Sequence, residues 1–131
     1  MVADYWFHKS MVFAKVNLKK DQFARFEELF NALEPLIRSP DLVIYYHRSV
    51  EKVQKGIKDR GREFEQEIHV NYLLKLERNF TGYFKRHKKV PVLWVDGDRM
   101  NPARIREHFQ ALTMAIDQPI KKGLHKLELG L

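Results

Sequence analysis

A chain of 131 residues has room for one hydrophobic core and little more. Its 44% hydrophobic and 31% charged residues exclude a disordered chain, and no run of eighteen apolar residues is present to span a membrane. The absence of Cys excludes disulfides, thiolate zinc sites and a Cys nucleophile, while a net charge of +7 points to an anionic partner: nucleic acid, phosphate or lipid headgroup.

Residues 5–18 are dense in apolar side chains (Tyr5, Trp6, Phe7, Met11, Val12, Phe13, Val16, Leu18) and suggest a buried helix without a clean period. Asp21 is a candidate N-cap for a helix over 22–37, whose apolar face is Phe23, Phe26, Phe30, Leu33 and Ile37. Pro35 should kink or end it. After the breaker Ser39-Pro40-Asp41, the run Leu42-Val43-Ile44-Tyr45-Tyr46 predicts a strand buried on both faces, as in a parallel sheet. Ser49 then caps a short helix marked by Val50, Val53 and Ile57 that ends near Gly61. The stretch 58–66 is charged, has no apolar period and reads as a loop.

Ile68, Tyr72, Leu76, Phe80 and Phe84 at four-residue steps predict the longest helix, over 68–86, closed by the basic tract Lys85-Arg86-His87-Lys88-Lys89. Val90–Val95 predicts the second strand, with Asp96-Gly97-Asp98 as a turn at its end. Pro102 suits the start of a last helix carrying Ile105, Phe109, Leu112 and Ile116. The tail 118–131 shows no clear element. The expected fold is α/β, mostly helical, with two parallel core strands joined by right-handed crossovers. Two parallel strands do not complete a sheet, so further strands are expected elsewhere. The six His are scattered with no metal-ligand spacing, and no metal site is expected.

In Arg60-Gly61-Arg62, a conformationally free Gly separates two planar, always charged guanidinium forks. On a loop they could close over a polyphosphate and neutralise the charge of phosphoryl transfer. On composition alone, the cations Arg48, Lys52, Lys55, Lys58, Arg60 and Arg62, opposed only by Glu51 and Asp59, read more readily as the solvated face of a helix and a turn.

A longer pattern surrounds them. Pro40-Asp41-Leu42-Val43-Ile44-Tyr45, Arg48-Ser49-Val50-Glu51, the run from Ile57 through Arg60-Gly61-Arg62-Glu63-Phe64-Glu65-Gln66 to Ile68, and Tyr72-Leu73 together resemble the deoxynucleoside kinase family. The likeness is to its bacterial deoxyadenosine/deoxyguanosine kinase branch. Asp4-Tyr5, Lys9-Ser10, Phe13-Ala14-Lys15, Asn17-Leu18, Pro91-Val92-Leu93 with Asp96, and Lys122-Gly123-Leu124-His125 extend it. The resemblance implies part of a P-loop kinase-type three-layer fold, and ATP with Mg²⁺ as phosphate donor to the 5′-hydroxyl of a purine deoxynucleoside. It further implies a cytoplasmic location and a possible homodimer. It assigns Arg60 and Arg62 to the ATP phosphates as catalytic, nucleotide-binding lid residues. Glu65 goes to the sugar 3′-hydroxyl and Asp96-Gly97-Asp98 to the loop near the donor adenine. Asp4 falls near the family's acidic element, where a helix N-cap is an equal reading.

The family's phosphate loop, G-x-x-x-x-G-K-[ST], is not among these 131 residues. Gly56 and Gly61 have the right separation, but Arg62-Glu63 follows in place of Lys-[ST]. The chain is therefore expected to be one C-terminal portion of such a kinase over 1–131, with its lid at about 58–67, inactive alone. The alternative is a basic, non-enzymatic nucleotide- or nucleic-acid-binding module using Lys15, Lys19, Lys20, the 85–89 tract, Lys121 and Lys122. No helix-turn-helix or aromatic platform accompanies that charge, which makes nucleic acid the weaker expectation.

Overall fold

The computed structural model describes residues 2, 3, 6–62 and 68–127. Its first helix, α1, spans Lys9–Asn17, shorter than the 5–18 expected. Phe7 and His8 form a turn ahead of it. From there Phe7 stacks on Phe30 at 4.7 Å between ring centroids, and Trp6 lies parallel to Phe84 at 5.9 Å. The period was unclear because these rings reach the core from a turn, while only Val12 and Ala14 within the helix are buried.

Helix α2 spans Lys20–Leu33. The Gln22 side chain accepts a hydrogen bond from the Lys19 backbone N–H at 3.1 Å, so the start precedes the expected cap. Asp21 sits in the first turn, where its charge suits the positive helix end. Pro35 ends the α-helix, and Glu34–Leu36 tightens into a 3₁₀ turn.

Strand β1, Val43–His47, leads into α3, Val50–Arg60. The Ser49 side chain accepts from the Lys52 N–H at 3.3 Å, as its N-cap assignment requires. Gly61 closes α3 in the left-handed region, at φ +66°. Lys58, Asp59 and Arg60, expected in a loop, form the last turn instead. Lys58 and Arg60 there complement the negative end of the helix.

Helix α4, Val70–Arg86, carries the four-residue apolar ladder. Strand β2 is Pro91–Asp96 and α5 is Arg106–Asp117. Residues 102–104 form a turn, so Pro102 does not open the helix. A third strand, β3 (Gly123–Lys126), corrects the expectation of two. It is four residues long and half polar, so its own pattern is silent, and pairing with β2 makes it a strand.

All three strands are parallel, in the order β1-β2-β3. On one face, Tyr45 and Phe84 rings lie 4.8 Å apart, and Tyr45 and Trp94 4.9 Å. Helix α4 covers this face, backed by α1, which in turn packs on α2. On the other face Leu93 and Val95 pack with Met100 against Leu112 and Ala115 of α5 and against Leu42, Ile120 and Leu127. This is the expected three-layer α/β arrangement, with β2 at its centre. The prediction for β1 needs correction: its residues alternate between partly buried and exposed rather than being buried on both faces, because α5 packs over β2 and, among the described residues, Ile44 and Tyr46 stay partly exposed.

Candidate functional site

In an open parallel sheet, ligands gather beyond the carboxyl ends of the strands. Here those ends are His47 of β1 and Asp96 of β2, which sit side by side in register. The Gly97 N–H donates to the His47 carbonyl at 2.6 Å. A Cβ on Gly97 would lie 2.6 Å from that oxygen and 2.8 Å from both Arg48 Cγ and Tyr46 Cε1. Only glycine lets the two strand ends approach this closely.

Asp98 reaches across to the start of α3. Its two carboxylate oxygens lie 3.2 and 3.3 Å from the Ser49 backbone N–H. Loss of solvation pushes its pKa up. The hydrogen bonds from Ser49, with Lys52 and His47 nearby, outweigh that effect and hold the carboxyl below its ordinary 3.8. Asp96 accepts from the Asp98 N–H at 3.0 Å. The Tyr46 hydroxyl donates to the Met100 carbonyl at 2.6 Å. The 96–100 loop is thus tied to both β1 and α3, and Met100 is buried beneath it. An open cleft lies outside, bordered by Tyr46, Arg48, Lys52, Asp98, Arg99 and Asn101.

The sequence did not reveal a second pair at the same edge. His47 Nε2 lies 2.7 Å from Glu77 Oε1 of α4, and its ring stacks on Trp94 at 4.6 Å. The partners are thirty residues apart, with no motif between them.

Arg60 is the last residue of α3 and Arg62 follows the Gly61 cap; both are exposed. Eleven helical residues at ~1.5 Å each put Arg60 ~16 Å from the Ser49 end. The structure therefore brings Asp96, Gly97 and Asp98 together with Ser49, but holds the two arginines at the opposite end of α3. Asp4 and Glu65 lie outside the described residues. Among the described residues, no group of three His, Asp or Glu side chains could hold a metal. These residues do not fit a Mg²⁺ cage. No helix among them is long and apolar enough to cross a membrane.

Comparison with known proteins places this geometry in context. The family model described as deoxynucleoside kinase matches residues 1–121. A deoxyguanosine kinase of Bacillus subtilis is 26% identical over 124 residues, covering 92% of this chain and 60% of that protein. A deoxyadenosine kinase of Lactobacillus acidophilus is 31% identical over 68 residues, 49% of this chain and 32% of that one. The solved structure of deoxyadenosine kinase from M. mycoides with bound dCTP superimposes with a TM-score of 0.70 at 23% identity, over 83% of this chain and 59% of that chain. The chain thus spans at most about 60% of the length of these relatives.

Proposed function

Because the chain belongs to the deoxynucleoside kinase family, we propose that it supplies the lid and donor-base side of a kinase that phosphorylates a purine deoxynucleoside at its 5′-hydroxyl from ATP, in purine salvage. The family match over residues 1–121 carries this reading. The deoxyguanosine and deoxyadenosine kinase relatives support the purine preference.

In this proposal Arg60 and Arg62 hold the ATP phosphates. Two guanidinium forks beside a left-handed Gly61 present charge-assisted, bidentate donors without a proton to lose near neutral pH. Glu65 takes the 3′-hydroxyl of the sugar. The Asp96-Gly97-Asp98 loop, held by Ser49 and Tyr46, borders the donor adenine. Helix α3 is then the lever between the two: its N-terminus is anchored at the adenine loop and its C-terminus carries the lid at about 58–67. Mg²⁺ would enter with the nucleotide phosphates.

The 131 residues contain no G-x-x-x-x-G-K-[ST] loop to position the γ-phosphate. This chain alone is therefore inactive in the proposal. Purified chain is to be assayed for ATP-dependent phosphorylation of deoxyadenosine and deoxyguanosine. The expected result is no turnover above background; turnover in the ordinary kinase range of roughly 1–100 s⁻¹ would overturn the incomplete-site reading. ATP affinity that falls when Arg60 and Arg62 are both replaced by Ala supports the lid assignment, and unchanged affinity opposes it.

A further inference from the structure

A second pocket lies at the pole of the molecule opposite the loop of Asp96 and Asp98. Helix α4 ends at Arg86 and leads into Pro91, the start of β2, whose six residues at ~3.3 Å each set ~20 Å between the two poles. The pocket, about 170 Å³, sits in the groove between α1, α2 and this end of α4. Met11, Val12 and Phe23 form its apolar wall. Lys15, Asn79, Tyr83, Arg86 and His87 supply its polar lining, and Glu27 of α2 is its one acid.

Two features mark it as built for a ligand. Tyr83 is 4% exposed, and its hydroxyl is buried with no hydrogen-bond partner among the described residues. A bound acceptor would relieve that cost. Burial and the Glu34 charge push the phenol pKa up against the opposing charge of Arg86, so the hydroxyl keeps its proton and stays a donor. Lys15 and Arg86, in turn, make no ion pair among the described residues. Gly82 leaves room for the Arg86 guanidinium to fold back along α4, since a Cβ there would stand 3.1 Å from Arg86 Nη1. The surroundings add positive potential. Lys85, Lys88 and Lys89 flank Arg86 and His87 in sequence. The Gly123 N–H donates to the Val90 carbonyl at 3.2 Å, which brings Lys121 and Lys122 to the same pole.

We propose that this pocket binds a small monocarboxylate with a short apolar body, its carboxylate held by the Arg86 fork and the Tyr83 hydroxyl beside Lys15. The size excludes a nucleoside, because pockets for larger ligands begin near ~300 Å³. A planar guanidinium pairs both oxygens of a carboxylate. The two cations set against Glu27, with His87 neutral above its lowered pKa, leave a small positive excess. That excess matches a monoanion better than a phosphate dianion. The wall of Met11, Val12 and Phe23 rewards an apolar body, which a bare hydrated ion lacks. The inference goes beyond the kinase reading and does not depend on it, since none of these residues belongs to the lid or the adenine loop.

The test is a benzoate titration of the 131-residue chain followed by backbone amide NMR shifts, with benzamide as the neutral isostere and inorganic phosphate as the second anion. The expected result is saturable shifts gathered at Lys15, Asn79, Tyr83, Arg86 and His87, with benzamide and phosphate each bound about tenfold more weakly than benzoate. Tyr83→Phe and, separately, Arg86→Gln should each weaken benzoate binding about tenfold, the loss expected for one hydrogen bond to a charged group. Tyr83→Phe keeps the ring and removes an unpaired hydroxyl, so its melting temperature should not fall; Arg86→Gln changes an exposed side chain. Lost binding is thereby separated from lost folding. Four results would overturn the proposal: no saturable binding; benzamide bound as tightly as benzoate, which means a merely apolar crevice; phosphate bound as tightly, which means an unselective cationic surface; or benzoate affinity unchanged in either variant.

Discussion

Gly97 is the position where one atom matters most. A methyl group there would enter the space of the His47 carbonyl at 2.6 Å, and backbone cannot yield as a side-chain tip can. Gly97→Ala is expected to destabilise the fold by ~1–3 kcal/mol, read by urea denaturation. Asp98 adds a pH signature. Its pKa is depressed in the folded chain, so its contribution is present above its unfolded value and lost as pH falls through the folded one. Asp98→Ala should lower the urea midpoint at neutral pH, and the gap from the parent chain should close as pH falls below 3.8 and through the folded pKa. The pattern Asp96-Gly97-Asp98 was legible as a turn. Its grip on Ser49 was not, because 49 residues separate the partners.

At the scale of elements, α4 holds the core together through one face. Phe84 is 2% exposed and meets Trp6, Tyr45 and Phe80. Phe84→Ala should cost ~3–5 kcal/mol in a denaturant titration, the usual range for emptying a packed aromatic site. The end of α4 also meets the turn before α1. The His87 ring stacks on Tyr83 at 4.0 Å and lies 6.2 Å from His8, which pairs with Glu34 at 3.5 Å. Burial lowers the pKa of both imidazoles from 6.5. Nearby Lys89 lowers His8 further, and the His8, Arg86 and Lys89 charges lower His87, with Glu34 opposing at both. A base whose folded pKa is depressed is protonated first in the unfolded chain, so stability is complete above 6.5 and declines as pH falls through that value toward the folded pKa. The melting temperature should therefore drop as pH falls below 6.5, and His87→Gln should flatten that slope. The α2–α4 ladders were legible because each repeats with the helical period. The start of α1 was not, since Trp6 and Phe7 are apolar for reasons of tertiary packing outside the helix.

At the scale of the whole molecule, the three-layer α/β order and the family were legible in the sequence. Local chemistry determined them: β-branched and aromatic runs between capped amphipathic helices, and the contiguous residues from Pro40 to Leu73. The end of α3 at Gly61, between Arg60 and Arg62, was legible in the same way. Tertiary structure alone decided the rest. It made a strand of Gly123–Lys126 by hydrogen-bonding it to β2, left Ile44 and Tyr46 of β1 partly exposed while α5 packs over β2, and put the Asp98 carboxylate and the pair Arg60 and Arg62 at opposite ends of one helix. Periodicity and short motifs report the faces and caps of an element, because those depend on neighbours within a few residues. Which strand is central, which edge stays open and how far apart two motifs stand depend on pairings between residues tens of positions apart, which no local pattern records.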